Sequence, residues 1–174
     1  MRELELAELE RRARAGEARA FGAVLRQHQH DLRGLVWSMV RDSHQVDDIM
    51  QAAFEKAFRN VTRFKGDSSM KTWLQSICYR AAIDHIRYAG RRRHADVDEF
   101  VGMASADDVA RRVEDRDRFT EVMTNLDPET RALLMLTAGL GYTQGEAAEI
   151  TGLPIGTVGS RLSRARDRLR KDLS

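Results

Sequence analysis

The chain has 174 residues, one cysteine and a formal net charge of +2. A chain of this length can form one domain or two small ones, each with a modest core. A single cysteine excludes an internal disulfide framework and argues against a cysteine-rich zinc site. The sequence has no window of roughly 20 apolar residues, and its charged N-terminus lacks the apolar core of a signal peptide. We therefore expect a cytoplasmic protein without membrane insertion.

The charges lie in blocks, although their sum is small. Residues 87–94 hold four arginines and no acid, and residues 155–174 hold six Lys or Arg against two Asp. Residues 95–110 hold five acids and no base. Because local potential is what attracts phosphate, these blocks are more informative than the net charge.

The first half of the chain has three apolar stripes with helical period. They run from Phe21 to Met39, from Val46 to Val61 and from Met70 to Ala81. No segment alternates polar and apolar residues for long enough to predict a sheet, and both prolines lie in the C-terminal part. We therefore predict an all-α fold that begins with a helical domain over residues 1–93. The pattern leaves open whether residues 1–16 form an ordered helix.

A polar loop with basic and aromatic residues separates the second and third stripes, from Arg63 to Trp73. Extruded bases are held by stacking and by hydrogen bonds to their edges, while basic groups follow the backbone. The helix after the loop is predicted to turn these side chains away from its apolar stripe: Lys71, Gln75, Tyr79, Arg80, Asp84, Arg87 and Arg91. On composition alone, a polar interhelical loop before a solvated amphipathic helix explains the pattern equally well.

Residues 94–119 are predicted to form a flexible acidic linker between two small domains, and their second half is compatible with a helix. The acids lie among small residues, with too few large apolar groups to form a core. Two interpretations are open, a solvated tether and a nucleic-acid mimic that threads a basic channel.

Residues 120–174 have the pattern of a helix-turn-helix domain. Asp127 and Pro128 predict the N-cap and first position of one helix, and Thr143 with Glu146 predicts a capping box that starts the next. A third helix, rich in arginine, is predicted from about Ile155. Because a short helix, a tight turn and a basic helix can place side chains in a major groove, we predict DNA binding. The polar faces of the third helix carry Thr157, Ser160, Arg161, Arg164, Arg168 and Lys171.

Several other residues are better interpreted as structural. His28 and His30 point to different faces of a helix and have no cysteine or acid cluster beside them, so we expect no metal there. Cys78 and Trp73 lie on an apolar stripe and are expected to support the core. No catalytic set, phosphate loop or metal-ligand pair occurs at useful spacing, so we predict neither an enzyme nor a cofactor.

Taken together, the motifs resemble those of the extracytoplasmic-function sigma factors of bacterial RNA polymerase. The family's acidic-Asp-Leu-Val-Gln-Glu-x-Phe stretch is similar to Asp47–Phe54, and its Phe-x-Gly-x-Ser loop with Thr-Trp-Leu is similar to Phe64–Leu74. Its Ala-Ile-Asp helix that ends in arginines matches Ala82–Arg93, and its final Gly-x-Pro-x-Gly-Thr-Val motif matches Gly152–Ala165. The resemblance covers about residues 17–93 and 120–171.

The resemblance implies a sigma factor with core RNA polymerase, promoter DNA and an anti-sigma factor as partners. Residues 1–93 would dock on polymerase, recognise the −10 element and aid melting, and residues 120–174 would recognise the −35 element. The implied polymerase-binding residues are Asp47, Asp48, Gln51 and Phe54. Those implied for the −10 element and melting are Lys65, Gly66, Asp67, Ser68, Ser69, Lys71, Arg80, Arg87 and Arg91. Those implied for the −35 element are Thr157, Ser160, Arg161 and Arg164.

Three positions depart from the family pattern. Ala52 stands where Glu is usual, which removes one salt bridge worth about 0–1 kcal/mol. Arg80 stands where Asn is common, and Asn can hydrogen-bond a base edge in bidentate fashion, whereas Arg prefers guanine or phosphate, so an unusual −10 preference is expected. Gly159 stands where Lys is common, which removes a phosphate contact and costs about 0.8–1.0 kcal/mol of helix propensity relative to Ala.

Two other function classes fit parts of the sequence. An ordinary helix-turn-helix regulator would bind a palindrome as a dimer and would need no polymerase-docking helix. A sigma-like decoy would bind an anti-sigma protein without starting transcription. Strand opening together with polymerase distinguishes a true initiation factor from both.

Overall fold

The computed structural model describes residues 3–95 and 123–172, and every regular element in these ranges is a helix. The N-terminal domain consists of four helices, α1 (Glu3–Arg14), α2 (Ala18–Val40), α3 (Ser43–Asn60) and α4 (Met70–Ala95). A 3₁₀ turn (Val61–Arg63) follows α3 and leads into the loop before α4. The all-α prediction is confirmed. The predicted acidic linker lies almost wholly outside the described residues, and the predicted domain limits stay predictions.

Local signals explain where the N-terminal helices begin and end. Helix α2 ends at Arg41 in the left-handed region (φ 58°), with the Arg41 amide bonded to the carbonyl of Trp37. Asp42 then caps α3 by accepting a hydrogen bond from the Gln45 amide at 2.9 Å. The left-handed residue and the cap together make the sharp turn between α2 and α3.

The three predicted stripes form the core of this domain. Large side chains such as Leu32, Leu35, Met39 and Leu74 are almost completely buried. Helix α1, which the sequence left open, packs on α2 and buries Ala13 completely. One residue of the second stripe departs from the prediction, because Phe58 is 44% exposed, although its ring contacts Phe21 at 5.5 Å.

The C-terminal domain has the predicted helix-turn-helix order. It contains α5 (Pro128–Leu134), which continues as a π turn (Met135–Gly139), then α6 (Gln144–Thr151) and α7 (Ile155–Asp172). The predicted caps are confirmed, because the side chains of Asp127 and Thr143 accept the amides of Thr130 and Glu146, and the full capping box is present. Gly152 ends α6 with φ 73°, a conformation that favours glycine.

The two domains pack against each other through a domain interface formed by α2 and α4 on one side and by α5 and α6 on the other. Its centre is Arg131, which is 8% exposed. The Arg131 guanidinium donates at 2.6 Å to the carbonyls of Ser38 and Met39 in the last turn of α2, and it also donates to the carbonyl of Leu126. A cation from one domain therefore satisfies the open C-terminal carbonyls of a helix in the other.

This packing corrects one sequence prediction. Gln75 and Tyr79 were expected on the solvated face of α4, but they are 0% and 4% exposed. The Tyr79 hydroxyl lies in the field of Glu129, Arg161 and Asp127 of the C-terminal domain, and burial raises its pKa to about 12. The prediction was wrong because α4 has a core on one side and a second domain on the other.

Candidate nucleic-acid and polymerase-binding surfaces

The exposed face of α3 carries the residues predicted to dock on polymerase. Asp47, Asp48 and Gln51 are exposed, and Asp47 forms an ion pair with Arg33 of α2. Gln51 donates to the Glu55 carboxylate at 3.3 Å. Phe54 is half-buried and packs against the core. The face is thus a polar, acidic surface supported by one aromatic side chain from beneath.

Aromatic stacking supports the loop before α4. Phe64 stacks on Trp73 with ring centroids 4.9 Å apart, and the Arg14 guanidinium covers the Phe64 ring at 4.9 Å. Gly66 has φ 82°, and a Cβ there would lie 2.9 Å from an Arg14 nitrogen. Trp73, expected in the core, is half-buried and packs against it while also forming this support. Arg14 of α1 supports the loop through this contact, which no pattern in the sequence predicted.

Hydroxyl groups fix the junction between the loop and α4. The Ser69 hydroxyl accepts the Thr72 amide at 3.0 Å and donates to the Thr72 hydroxyl at 2.9 Å. This is the geometry of an N-cap, so Ser69 sets the first turn of α4. Lys65, Gly66 and Asp67 remain exposed beside it, and Ser68 is half-buried.

The loop and α4 line an open cavity of about 420 Å³, which we call the loop pocket. Its walls combine cations, hydroxyl groups, carboxylates and the stacked aromatic pair. The lining residues are Arg63, Phe64, Lys65, Asp67, Ser68, Thr72, Trp73, Ser76, Arg80 and Glu149. The last of these belongs to α6, so one carboxylate of the C-terminal domain stands at the edge of the loop pocket.

Lys71, predicted to contact DNA, is engaged at the domain interface. Its ammonium lies 2.6 Å from the Asp31 carboxylate and 5.6 Å from the centre of the Tyr142 ring. Burial alone lowers the pKa of Lys71, but the hydrogen bond with Asp31 and the charges of Tyr142 and Asp31 raise it above its ordinary value. The contact therefore favours the charged form and joins α2, α4 and the C-terminal domain.

Further along α4, the predicted DNA-binding arginines Arg80, Arg87 and Arg91 are exposed, as expected. Arg87 lines a second cavity, of about 600 Å³, between the two domains. Arginines of α7 line its other side, together with Asp127 and Glu129. Arg87 of α4 and the arginines of α7 therefore line the same groove.

The predicted −35-reading helix α7 presents its polar residues unequally. Ser160 and Arg164 are exposed, and the Arg164 guanidinium donates to the Ser160 carbonyl at 3.2 Å. Thr157 is half-buried. Arg161 is held in ion pairs with Asp127 at 3.1 Å and with Glu129 at 2.9 Å. Position 159 lies against α6, since a Cβ on Gly159 would be 3.2 Å from the Gln144 side-chain oxygen.

The residues interpreted as structural are largely where the sequence places them. Cys78 is buried, and burial raises the pKa of its thiol to about 12. His28 is buried and His30 exposed; burial first, and Lys71 second, lower the pKa of His28. Within the two described ranges, no group of three or more His, Cys, Asp or Glu could hold a metal ion. Nor does any helix in those ranges combine the length and apolarity needed to cross a membrane.

Comparison with known proteins identifies both domains. Residues 24–92 match the Sigma-70 region 2 family and residues 116–169 match the Sigma-70 region 4 family. The chain is 35% identical to the extracytoplasmic-function sigma factor SigC of Mycobacterium tuberculosis over 92% of its own length and 86% of that protein. Two solved structures are also similar. One is Bartonella quintana RpoE with the anti-sigma factor NepR (TM-score 0.75, 27% identity, 88% and 96% coverage). The other is CnrH with the cytosolic domain of CnrY (TM-score 0.68, 28% identity, 94% and 93% coverage).

The fold and the two matched regions define a sigma factor of the Sigma-70 class, which binds core RNA polymerase and promoter DNA and acts in transcription initiation. The chain belongs to the extracytoplasmic-function sigma factors. The resemblance noted in the sequence is confirmed, and the ordinary helix-turn-helix regulator is excluded as the class.

Proposed function

We propose a division of labour among the surfaces described above. The exposed face of α3, with Asp47, Asp48 and Gln51, docks on core polymerase. The loop pocket receives a base of the −10 element during melting, while Arg87 and Arg91 follow the duplex phosphates. Helix α7 reads the −35 element through Thr157, Ser160, Arg161 and Arg164. The observation that carries the proposal is the loop pocket, which combines stacking, hydroxyl and cationic groups as an extruded base requires.

The proposal includes control by an anti-sigma factor. It is supported by the similar structure of Bartonella quintana RpoE, a sigma factor in complex with the anti-sigma factor NepR. The other similar structure, CnrH, is likewise a complex, with the cytosolic domain of CnrY. In this chain the groove between the two domains is lined by residues of both, so one partner that binds there would contact both domains. The protein acts in the cytoplasm and carries no catalytic activity of its own, because its chemistry is binding and strand separation.

Transcription by purified core polymerase tests the proposal. Fragmented host DNA is transcribed with and without the protein, and RNA 5′ ends are mapped. New starts that share two upstream elements at fixed spacing support it. Binding to core without new starts would favour the sigma-like decoy. A protein isolated from its host that never carries an inhibitor and is always active would contradict the regulatory part.

A further inference from the structure

Three cations line the loop pocket, Arg63, Lys65 and Arg80, and none of them forms an ion pair with a residue of the described ranges. Arg63 lies in the 3₁₀ turn and Lys65 in the loop, whereas Arg80 is the one that α4 carries. Two cations outside the pocket lining are paired, Lys71 with Asp31 and Arg161 with Asp127 and Glu129. Arg80, in contrast, is exposed at the wall of the loop pocket and forms no ion pair or hydrogen bond with any residue of the described ranges. Its planar fork of donors is therefore available to a ligand in the pocket.

The same pocket also contains negatively charged hydrogen-bond acceptors. Asp67, on the loop, and Glu149, on α6, are exposed carboxylates that accept hydrogen bonds but donate none. Helix α4 fixes Arg80, and the Ser69 cap fixes the start of that helix. The cavity of about 420 Å³ falls within the range of about 300–1,000 Å³ that is typical of small-molecule sites.

Guanine is the base whose edges match this arrangement. It presents two adjacent acceptors, O6 and N7, which an Arg fork binds in bidentate fashion. Its N1–H and N2–H₂ groups are donors, which a carboxylate such as that of Asp67 can accept. Adenine places a donor beside N7, and thymine places a methyl group beside O4, so neither offers the Arg fork two adjacent acceptors. Cytosine presents its N4 donor where guanine presents O6, but an extruded cytosine also exposes two adjacent acceptors, O2 and N3, on its pairing edge. A preference for cytosine in the test below would therefore overturn the assignment of guanine.

We propose that Arg80 makes the loop pocket selective for guanine at the base it receives. The inference rests on the proposed function, because it specifies the base that this pocket reads. Arg80 is thus a specificity-determining residue of the −10 interaction. The hydroxyl groups and the aromatic pair hold any base, whereas Arg80 distinguishes among the four.

The test uses holoenzyme assembled from core polymerase and the full chain. A promoter found by 5′-end mapping is rebuilt as a library with every position of its −10 element randomised, and transcripts are sequenced. The wild-type protein is expected to favour guanine at one position by about tenfold over the other bases. Arg80→Asn is expected to abolish that preference or move it to adenine, and Arg80→Lys, which keeps the charge but not the fork, is expected to weaken it.

Arg87→Asn is the matched control on the same helix. It removes a phosphate-directed cation and is expected to lower transcription of all library members alike, with an unchanged base preference. Thermal melting of each variant shows whether it is folded. A guanine preference that survives in Arg80→Asn, or a wild-type protein without any guanine preference, overturns the inference while the proposed function stands. No wild-type transcription from any template overturns both.

Discussion

The face of α3 proposed to dock on polymerase and the residues proposed to contact the promoter differ in what they contact within the chain. Asp48 and Gln51 of α3 are exposed to solvent. Lys71 and Arg161, in contrast, are engaged by Asp31 and by Asp127 with Glu129, and Glu149 borders the loop pocket. In the packed arrangement the proposed docking surface on α3 is therefore accessible, whereas two of the cations proposed to contact DNA, Lys71 and Arg161, are paired with carboxylates of the chain itself.

The largest expected effect comes from Arg131, which holds this arrangement together. Arg131→Met would leave the carbonyls of Ser38 and Met39 without their donor, and we expect the free energy of unfolding to fall by about 2–3 kcal/mol. Urea denaturation measures this loss, and small-angle scattering should report separated domains. Arg59→Met on the exposed surface of α3 is the control and should change stability by less than about 0.5 kcal/mol. An Arg131→Met protein as stable and compact as the wild type would contradict the role of this contact.

A smaller loss of stability is expected when the capping box of α6 is removed, because this contact lies within the C-terminal domain alone. Thr143→Ala removes both the cap and the hydroxyl contact with Glu146, and should cost about 1 kcal/mol of stability. Thermal unfolding followed by circular dichroism measures the loss. Thr62→Ala, at an exposed position of the 3₁₀ turn, is the control. Equal effects of the two substitutions would argue against the cap.

Charge reversal on α3 should affect the binding of core polymerase and leave promoter recognition unchanged. Asp48→Lys is expected to weaken core polymerase binding by up to about fivefold, mainly through a slower association rate, because exposed pairs contribute little energy. Stopped-flow association at increasing salt measures this effect, which should shrink as the salt rises. Asp48→Asn is the matched control with charge removed but not reversed. Altered DNA selection by Asp48→Lys, with normal polymerase binding, would contradict the separation of the two surfaces.

The smallest expected effect is a pH dependence at Asp127. Burial raises the pKa of this carboxyl, but hydrogen bonds from Thr130 and the charge of Arg161 outweigh it and hold the pKa below the ordinary value of 3.8. Because the folded pKa is lowered, the stabilisation is complete above pH 3.8 and is lost as the pH falls through the folded pKa. Asp127→Asn should therefore flatten acid unfolding in that range. An unchanged acid transition in the variant would refute the assignment.

The parts of the fold that depend on local signals were predictable from the sequence. The Asp127 and Thr143 caps act within three residues, and the apolar stripes repeat within each helix, so both are visible without the tertiary structure. The family motifs likewise located α3, the loop and α7. Contacts between residues that are far apart in the sequence could not be predicted. Arg131 looks like any helical arginine until α2, some 90 residues earlier, presents its carbonyls.

The candidate site shows the same limit. The residues of the loop were predictable, but Arg14 as the brace of Phe64 and Glu149 at the pocket edge were not, because both come from distant segments. Gln75 and Tyr79 were misassigned because a single helical stripe cannot reveal a second partner. Sequence patterns therefore identify the helix that carries a functional surface, but they identify less well which face of that helix is exposed to solvent.

Gln75 limits the stability of the packing between the two domains. Both polar atoms of its side-chain amide are buried on the same face of α4 as Lys71 and Tyr79, without a hydrogen-bond partner in the described chain. Water would satisfy these atoms once the domains separate, which returns about 1–3 kcal/mol per unsatisfied group. This cost reduces the free energy difference between the packed arrangement and separated domains. A ligand shifts such an equilibrium by no more than its difference in affinity for the two forms, so the cost at Gln75 lowers the preference that polymerase or an inhibitor needs to separate the domains.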